Sequence, residues 1–292
     1  MYYFALLLIF ACTIWFSGHK WPLLSIWPFA IYLQNMPPLF PIMMAFPSYG
    51  ALGHFWSLAV EEQFYLVWPF LLVWQFERNI SARRMCLLIW ALSLGYRIFV
   101  YIIGLRDAWA LDFLVGRAGE LTMGAYLALA VRDAGARAMV FKRARFVFPA
   151  SLLAMVAVVV WTRSTDLRTF PMTTLGLAIN GVMFSSLIAL SLQPGPVASF
   201  FSMRWLRWLG KISYGIYVYH MLLLSLFEWF VNRAFPSLGH NSHCLALAAV
   251  AAVGTLMIAS LSFYGFEAPI MRLKEVSRRQ PEELLEPVKA EI

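Results

Sequence analysis

The stretch Gly53-His54-Phe55-Trp56-Ser57-Leu58-Ala59-Val60-Glu61-Glu62-Gln63-Phe64-Tyr65-Leu66-Val67-Trp68-Pro69 decides how this chain is read. It opens a long apolar segment, yet it carries two adjacent carboxylates, an amide, a serine and a histidine. A carboxylate entering hydrocarbon costs several kcal/mol unless it faces protein or water, so an acid in such a segment reads first as part of a site.

The rest of the chain confirms the apolar setting. Its 292 residues are 61% hydrophobic and 13% charged, with a mean hydropathy of +0.70. Soluble domains carry about one quarter charged residues, so long apolar runs with short charged loops specify an all-α, polytopic protein of the lipid bilayer. A net charge of +8 would point to nucleic acid in a soluble protein. Here the basic residues sit in alternate loops and serve topology, and no nucleic-acid partner is expected. Cys12, Cys86 and Cys244 are scattered and suggest neither a disulfide framework nor a metal site. Met1 leads straight into Tyr2–Phe16 without a basic region or a small-residue cleavage site, so no signal peptide is expected.

Eight spans can be read: Tyr2–Phe16, Trp56–Phe76, Met85–Ile103, Leu111–Val131, Phe146–Trp161, Phe170–Leu192, Leu209–Val231 and Cys244–Tyr264. A further run, Leu23–Leu33, is broken by Pro28 and flanked by Pro22, Pro37, Pro38, Pro41 and Pro47, which argues for a re-entrant or surface segment. Arg78, Arg83 and Arg84 follow the second span. Arg132, Arg137, Lys142, Arg143 and Arg145 follow the fourth, Arg204, Arg207 and Lys211 the sixth, and Arg272, Lys274, Arg278 and Arg279 the last. The loops between hold few cations, so the basic set is cytoplasmic, as are Met1 and a polar tail from Phe266 to Ile292. The segment Ser17–Phe55 then stays outside.

Several constellations could carry chemistry. Glu61, Tyr65 and Pro69 share a helix face, and Glu62 lies about 100° around from Glu61, so the two acids serve different partners. Gln63 and Ser57 add hydrogen-bonding groups near the outer end. A carboxylate there can act as a general base or orient a histidine; the structural alternatives are an interhelical ion pair or acids favoured by the helix dipole. Arg117 and Glu120 can pair at i, i+3, and Gly116, Gly119 and Gly124 would allow close approach of a helix or ligand. Arg97 is a third charge, free to neutralise Glu61 or Glu120. Ser213, Tyr217 and His220 form an i, i+4, i+7 stripe of hydroxyl, phenol and imidazole. No serine sits in a nucleophile elbow. His240 and His243 read as a solvated loop, and the Arg132–Arg145 run serves either topology or a phosphorylated donor.

These motifs resemble, in order, those of the acyltransferase-3 family of integral membrane acyltransferases. Trp56-Ser57-Leu58-Ala59-Val60-Glu61-Glu62-Gln63-Phe64-Tyr65-Leu66-Val67-Trp68-Pro69 is similar to its signature. Arg117-Ala118-Gly119-Glu120-Leu121-Thr122-Met123-Gly124 resembles its Arg-x-x-Glu-Leu-x-x-Gly segment. Leu209-Gly210-Lys211-Ile212-Ser213-Tyr214-Gly215-Ile216-Tyr217-Val218-Tyr219-His220 is similar to its Gly-x-Ile-Ser-Tyr-x-x-Tyr-x-x-His pattern. Leu33-Gln34-Asn35 fits too, and Tyr264-Gly265-Phe266-Glu267-Ala268-Pro269 resembles its closing Glu-Arg-Pro element, with Ala268 in place of arginine.

The resemblance implies a ten-helix enzyme of the bacterial inner membrane with cytoplasmic termini. It would move an acyl group, commonly acetyl, from acyl-CoA (acetyl-CoA) to a hydroxyl of a surface carbohydrate or glycolipid. Met1-Tyr2-Tyr3-Phe4-Ala5-Leu6 looks like the start of the family's third helix, so this chain is expected to lack two helices, one bearing a histidine and an arginine of acyl transfer. Residues 1–265 would form the membrane acyltransferase domain and residues 266–292 the tail. The catalytic candidates are Glu61, Glu62 and His220. The substrate-binding candidates are Trp56, Ser57, Gln63, Tyr65, Arg117, Glu120, Ser213, Tyr214 and Tyr217. A transporter or flippase for an acyl or sugar-linked solute is the alternative, since buried Glu, Arg and His beside a broken segment serve that purpose too. An inactive remnant is the third.

Overall fold

The computed structural model of the chain describes residues 2–7, 11, 27–36, 52–105 and 107–272. All regular structure among them is helical. Cys12 falls outside the described residues, as do residues 273–292 of the tail, about half of the expected Tyr2–Phe16 span and residues 23–26 of the Leu23–Leu33 segment.

Two compact units divide the chain. The larger holds Pro22–Phe46 and Phe55–Met203. Its long helices are α1 (Trp56–Glu77), α2 (Ala82–Ile102), α3 (Leu114–Arg132), α4 (Ala134–Thr162) and α5 (Leu177–Ser191). Helix α3 is the hub and packs against each of the other four. Small residues let it do so. A methyl on Gly119 would stand 3.2 Å from Ser93 on α2, and one on Gly116 would stand 2.1 Å from the carbonyl oxygen of Ala110. Ser93 Oγ donates to the Gly116 carbonyl at 3.0 Å. Gly124 meets nothing within 4 Å, so only two of the three glycines expected to allow close approach do so.

The smaller unit comprises Met1–Trp21, Pro47–His54 and Arg204–Ile292. Its long helices are α6 (Arg204–Leu222), α7 (Leu224–Ala234) and α8 (His240–Ser262). A π-helical turn, Phe263–Glu267, continues α8, and the helical run reaches Arg272. The helical run therefore continues through residues 265 and 266.

The helices begin and end where local chemistry directs, and two of them depart most from the expected spans. Helix α4 starts well before Phe146 because the Asp133 carboxylate accepts from Ala136 N at 3.1 Å, an N-cap, and no proline stands between the cap and Phe146. The basic residues Arg137, Lys142, Arg143 and Arg145 thus lie on helix, not in a loop. At 29 residues α4 is ~44 Å long, more than hydrocarbon alone requires. The single span expected over Leu209–Val231 is two helices bent by 61° at Leu223. On α7, the ring of Phe227 lies 2.5 Å from where a methyl on Gly254 of α8 would be, so the glycine leaves room for that ring.

Among the described residues four helical runs are long and apolar enough to cross a membrane, Ala82–Ile102, Ala134–Thr162, Met172–Ser191 and His240–Arg272, with the bent α6–α7 pair a fifth if it is one span. Their outer faces expose large apolar side chains such as Leu153, Leu245 and Leu261, all at 70% or more. Such surface suits the hydrocarbon of a bilayer.

Candidate functional site

Each unit holds a cluster of polar side chains that includes expected site residues. In the larger unit the centre is Glu120 on α3. Arg97, wholly buried on α2, donates from Nη1 to Glu120 Oε1 at 2.8 Å. Arg117, one turn before Glu120, holds Nε 3.8 Å from its other oxygen. A carboxylate shared by two guanidiniums is the arrangement that lets charge persist in an apolar interior. Arg97 thus meets Glu120, not Glu61.

Arg117 also lies over the indole of Trp56, its guanidinium carbon 5.4 Å from the ring centroid. Trp56, Ser57, Val60, Glu61, Arg117, Glu120 and Leu121 line a small cleft between α1 and α3. Arg117 Nη1 and Glu120 Oε2 are buried there without a hydrogen-bond partner among the described residues. A guanidinium, two carboxylates and an indole thus line the cleft together, the kinds of group that bind a hydroxylated ring.

Other residues expected beside this site are engaged elsewhere. Gln63 Nε2 donates to the Tyr32 carbonyl at 2.7 Å and to Asn35 Oδ1 at 2.8 Å, and its Oε1 accepts from Asn35 Nδ2 at 3.2 Å. Asn35, fully buried, donates also to the Asp112 carbonyl at 2.9 Å. Gln63 ties the 27–36 segment to α1 and does not line the cleft. Glu62 and Tyr65 are exposed, and Glu62 makes no ion pair among the described residues.

Near the cleft, Asp112 occupies the loop before α3, since the helix begins at Leu114, three residues after the expected Leu111. Burial pushes its carboxyl up to about 6, against the pull of Arg117 and Arg168.

In the smaller unit the polar group is His54, Tyr217 and His220. The Tyr217 hydroxyl donates to the His54 carbonyl. The imidazoles of His54 and His220 meet edge to face with centroids 5.0 Å apart, and the Tyr217 ring lies 5.3 Å from His54. His220 Nδ1 is 2.7 Å from the Tyr217 carbonyl oxygen, which can only accept. Nδ1 therefore carries the proton, and Nε2 keeps its lone pair in the neutral ring. Such a nitrogen can take a proton from a hydroxyl.

Sequence spacing located Tyr217 and His220 but not His54, although His54 stands at the head of the decisive stretch. Nothing in a single sequence pairs it with residues so far along the chain. Ser213 is exposed and donates to the Gly210 carbonyl, apart from the imidazoles, and Tyr214 is exposed as well. His243 is paired with Asn232 at 2.7 Å, and no three His, Cys, Asp or Glu side chains converge among the described residues. A separate, mostly apolar cavity between α3, α4 and α5, edged by Arg143, holds none of the expected site residues.

The family profile of the acyltransferase domain matches residues 1–264, which includes both polar groups. The chain belongs to the acyltransferase-3 family. Peptidoglycan O-acetyltransferase OatA of Listeria monocytogenes is 29% identical over 251 residues, 82% of this chain and 39% of the relative. The Bacillus subtilis protein named "Putative peptidoglycan O-acetyltransferase YrhL" is 28% identical over 248 residues, 82% of this chain and 38% of the relative. The chain thus spans under two fifths of the length of these relatives. No solved structure matches it.

Proposed function

We propose that this acyltransferase-3 chain carries the membrane part of an O-acetyltransferase. The donor is acetyl-CoA and the acceptor a hydroxyl of an extracytoplasmic carbohydrate or glycolipid, peptidoglycan among them. The observation that carries the reading is the cleft of Trp56, Glu61, Arg117 and Glu120, which joins the family signature and the Arg-x-x-Glu-Leu-x-x-Gly segment in one place. Loop charges assign the start of α1 and of α3 to the outer side, where an acceptor glycan would arrive.

The acceptor ring lies against Trp56, with its hydroxyls bonded to Arg117 and Glu61. Arg97 is a positioning residue that holds Glu120. The acceptor oxygen attacks the thioester carbonyl carbon, a C–O bond forms, the C–S bond breaks, and the hydroxyl proton ends on the departing thiolate. Glu61, which lines this cleft, is the candidate there to carry that proton, and within the smaller unit His220 Nε2, its ring supported by His54, is the candidate base. Glu62 keeps a supporting role at the outer mouth.

The test places Glu61→Gln and His220→Gln separately at the native chromosomal locus, so that the whole protein is assayed. Membranes then receive labelled acetyl-CoA, and label in carbohydrate is counted. Loss of a general base lowers turnover by about 100-fold or more. Wild-type labelling in both variants would overturn the roles, and label absent from carbohydrate in the unsubstituted membranes would overturn the function.

A further inference from the structure

Trp208 of α6 forms a wall of two adjoining cavities in the smaller unit. The first is lined by Arg204, Arg207, Trp208, Lys211 and Tyr264. The four α6 residues fall at i, i+3, i+4 and i+7 and so share one helix face. Among the described residues no acid lines this cup, and none of its three cations joins an ion pair. The second cavity is a trough along α8, lined by Trp208, Val253, Leu256, Met257, Ser260 and Leu261. Its one polar side chain is already committed, since Ser260 Oγ donates to the Leu256 carbonyl at 2.6 Å. From Leu261 to Val253 the trough follows ~12 Å of helix.

Topology alone accounts for basic residues in this region of the chain, but not for their stacking on one helix face around an aromatic-walled cup. Nor does it account for an apolar trough that starts at the same tryptophan. A free phosphate or a nucleotide would satisfy the cup and leave the trough unused. A neutral lipid would do the reverse. We propose that the two cavities form one site for an anionic phospholipid. Its phosphate sits among Arg204, Arg207 and Lys211, Trp208 lies at the glycerol level, and one acyl chain runs along Met257 and Val253. Basic pockets at the cytoplasmic edge of transmembrane helices suit such headgroups, and tryptophan suits the interface. The site stands independently of the acyl-transfer reading.

The purified full chain, delipidated in neutral detergent, is titrated with phosphatidylglycerol and with phosphatidylcholine of the same chains and followed by native mass spectrometry. One phosphatidylglycerol is retained per chain in preference to phosphatidylcholine. With about 1 kcal/mol for each cation, and so about fivefold each, Arg204→Ala/Arg207→Ala/Lys211→Ala weakens retention by about 100-fold. Met257→Trp, on an exposed position, narrows the trough and weakens it while leaving the charges intact, and Arg207→Lys retains most of it. Equal retention of the two lipids, or undiminished retention in both the triple and the Met257→Trp variants, overturns the proposal. So does displacement of the lipid by CoA or inorganic phosphate at equal concentration, which would make the cup a site for a soluble phosphate.

Discussion

Replacing Glu120 by glutamine should unsettle the larger unit more than any other isosteric change. The side chain keeps its size and one acceptor but loses the charge that Arg97 and Arg117 share. At an effective dielectric of about 20, a unit pair 2.8 Å apart attracts by about 6 kcal/mol and one 3.8 Å apart by about 4 kcal/mol. Desolvation offsets much of this, and breaking a buried pair from one side costs a net ~3–5 kcal/mol. Arg97 dominates the cost because it is wholly buried and its Nε and Nη2 have no hydrogen-bond partner among the described residues. Denaturant titration in detergent micelles, followed by tryptophan fluorescence, should show a lower midpoint for Glu120→Gln. Arg97→Met/Glu120→Leu removes both charges and should recover most of the loss, since apolar replacements for a buried pair are often neutral. An unchanged midpoint in Glu120→Gln, or a double variant no better than the single, would refute the view that Glu120 holds the arginines.

Three further outcomes are expected from the same unfolding measurement. Gly116→Ala places a methyl 2.1 Å from a backbone oxygen and should cost at least ~1–3 kcal/mol, whereas Gly124→Ala, with nothing within 4 Å, should be neutral or slightly stabilising. Asn35→Leu strips Gln63 of its reciprocal amide bonds and should cost about 1–3 kcal/mol, with faster proteolysis of the 27–36 segment. Asp112 has a folded pKa raised to about 6, so its ionisation opposes folding. That penalty is absent below the unfolded value of about 3.9, grows as pH rises to about 6, and is constant above. Asp112→Asn should therefore stabilise the protein at pH 7–8 and change little at pH 4; equal effects at both would contradict the burial of that carboxyl.

Much of the fold was legible because apolar runs and breakers act locally. The spans read over Trp56–Phe76, Met85–Ile103 and Leu111–Val131 correspond to α1, α2 and α3 within three residues at either end. The bend at Leu223 was not legible, since no proline or glycine marks it and the ring of Phe227 finds Gly254 only in the folded unit. Of the expected site residues, those on one helix were found together when spacing allowed it, as with Arg117 and Glu120. Gln63 looked like a neighbour of Glu61 in sequence and proved to be the anchor of a distant segment.

The sequence by itself determined that this is a helical membrane protein of the acyltransferase-3 family and which turns carry its polar groups. Composition, periodicity and motif order are all properties of the linear chain. Only the tertiary structure decided that Arg97 serves Glu120, that Trp56 lies beneath Arg117, and that His54 meets His220. Those pairings depend on the rotation and depth of one helix against another, which side-chain packing sets and residue spacing along a single helix does not encode.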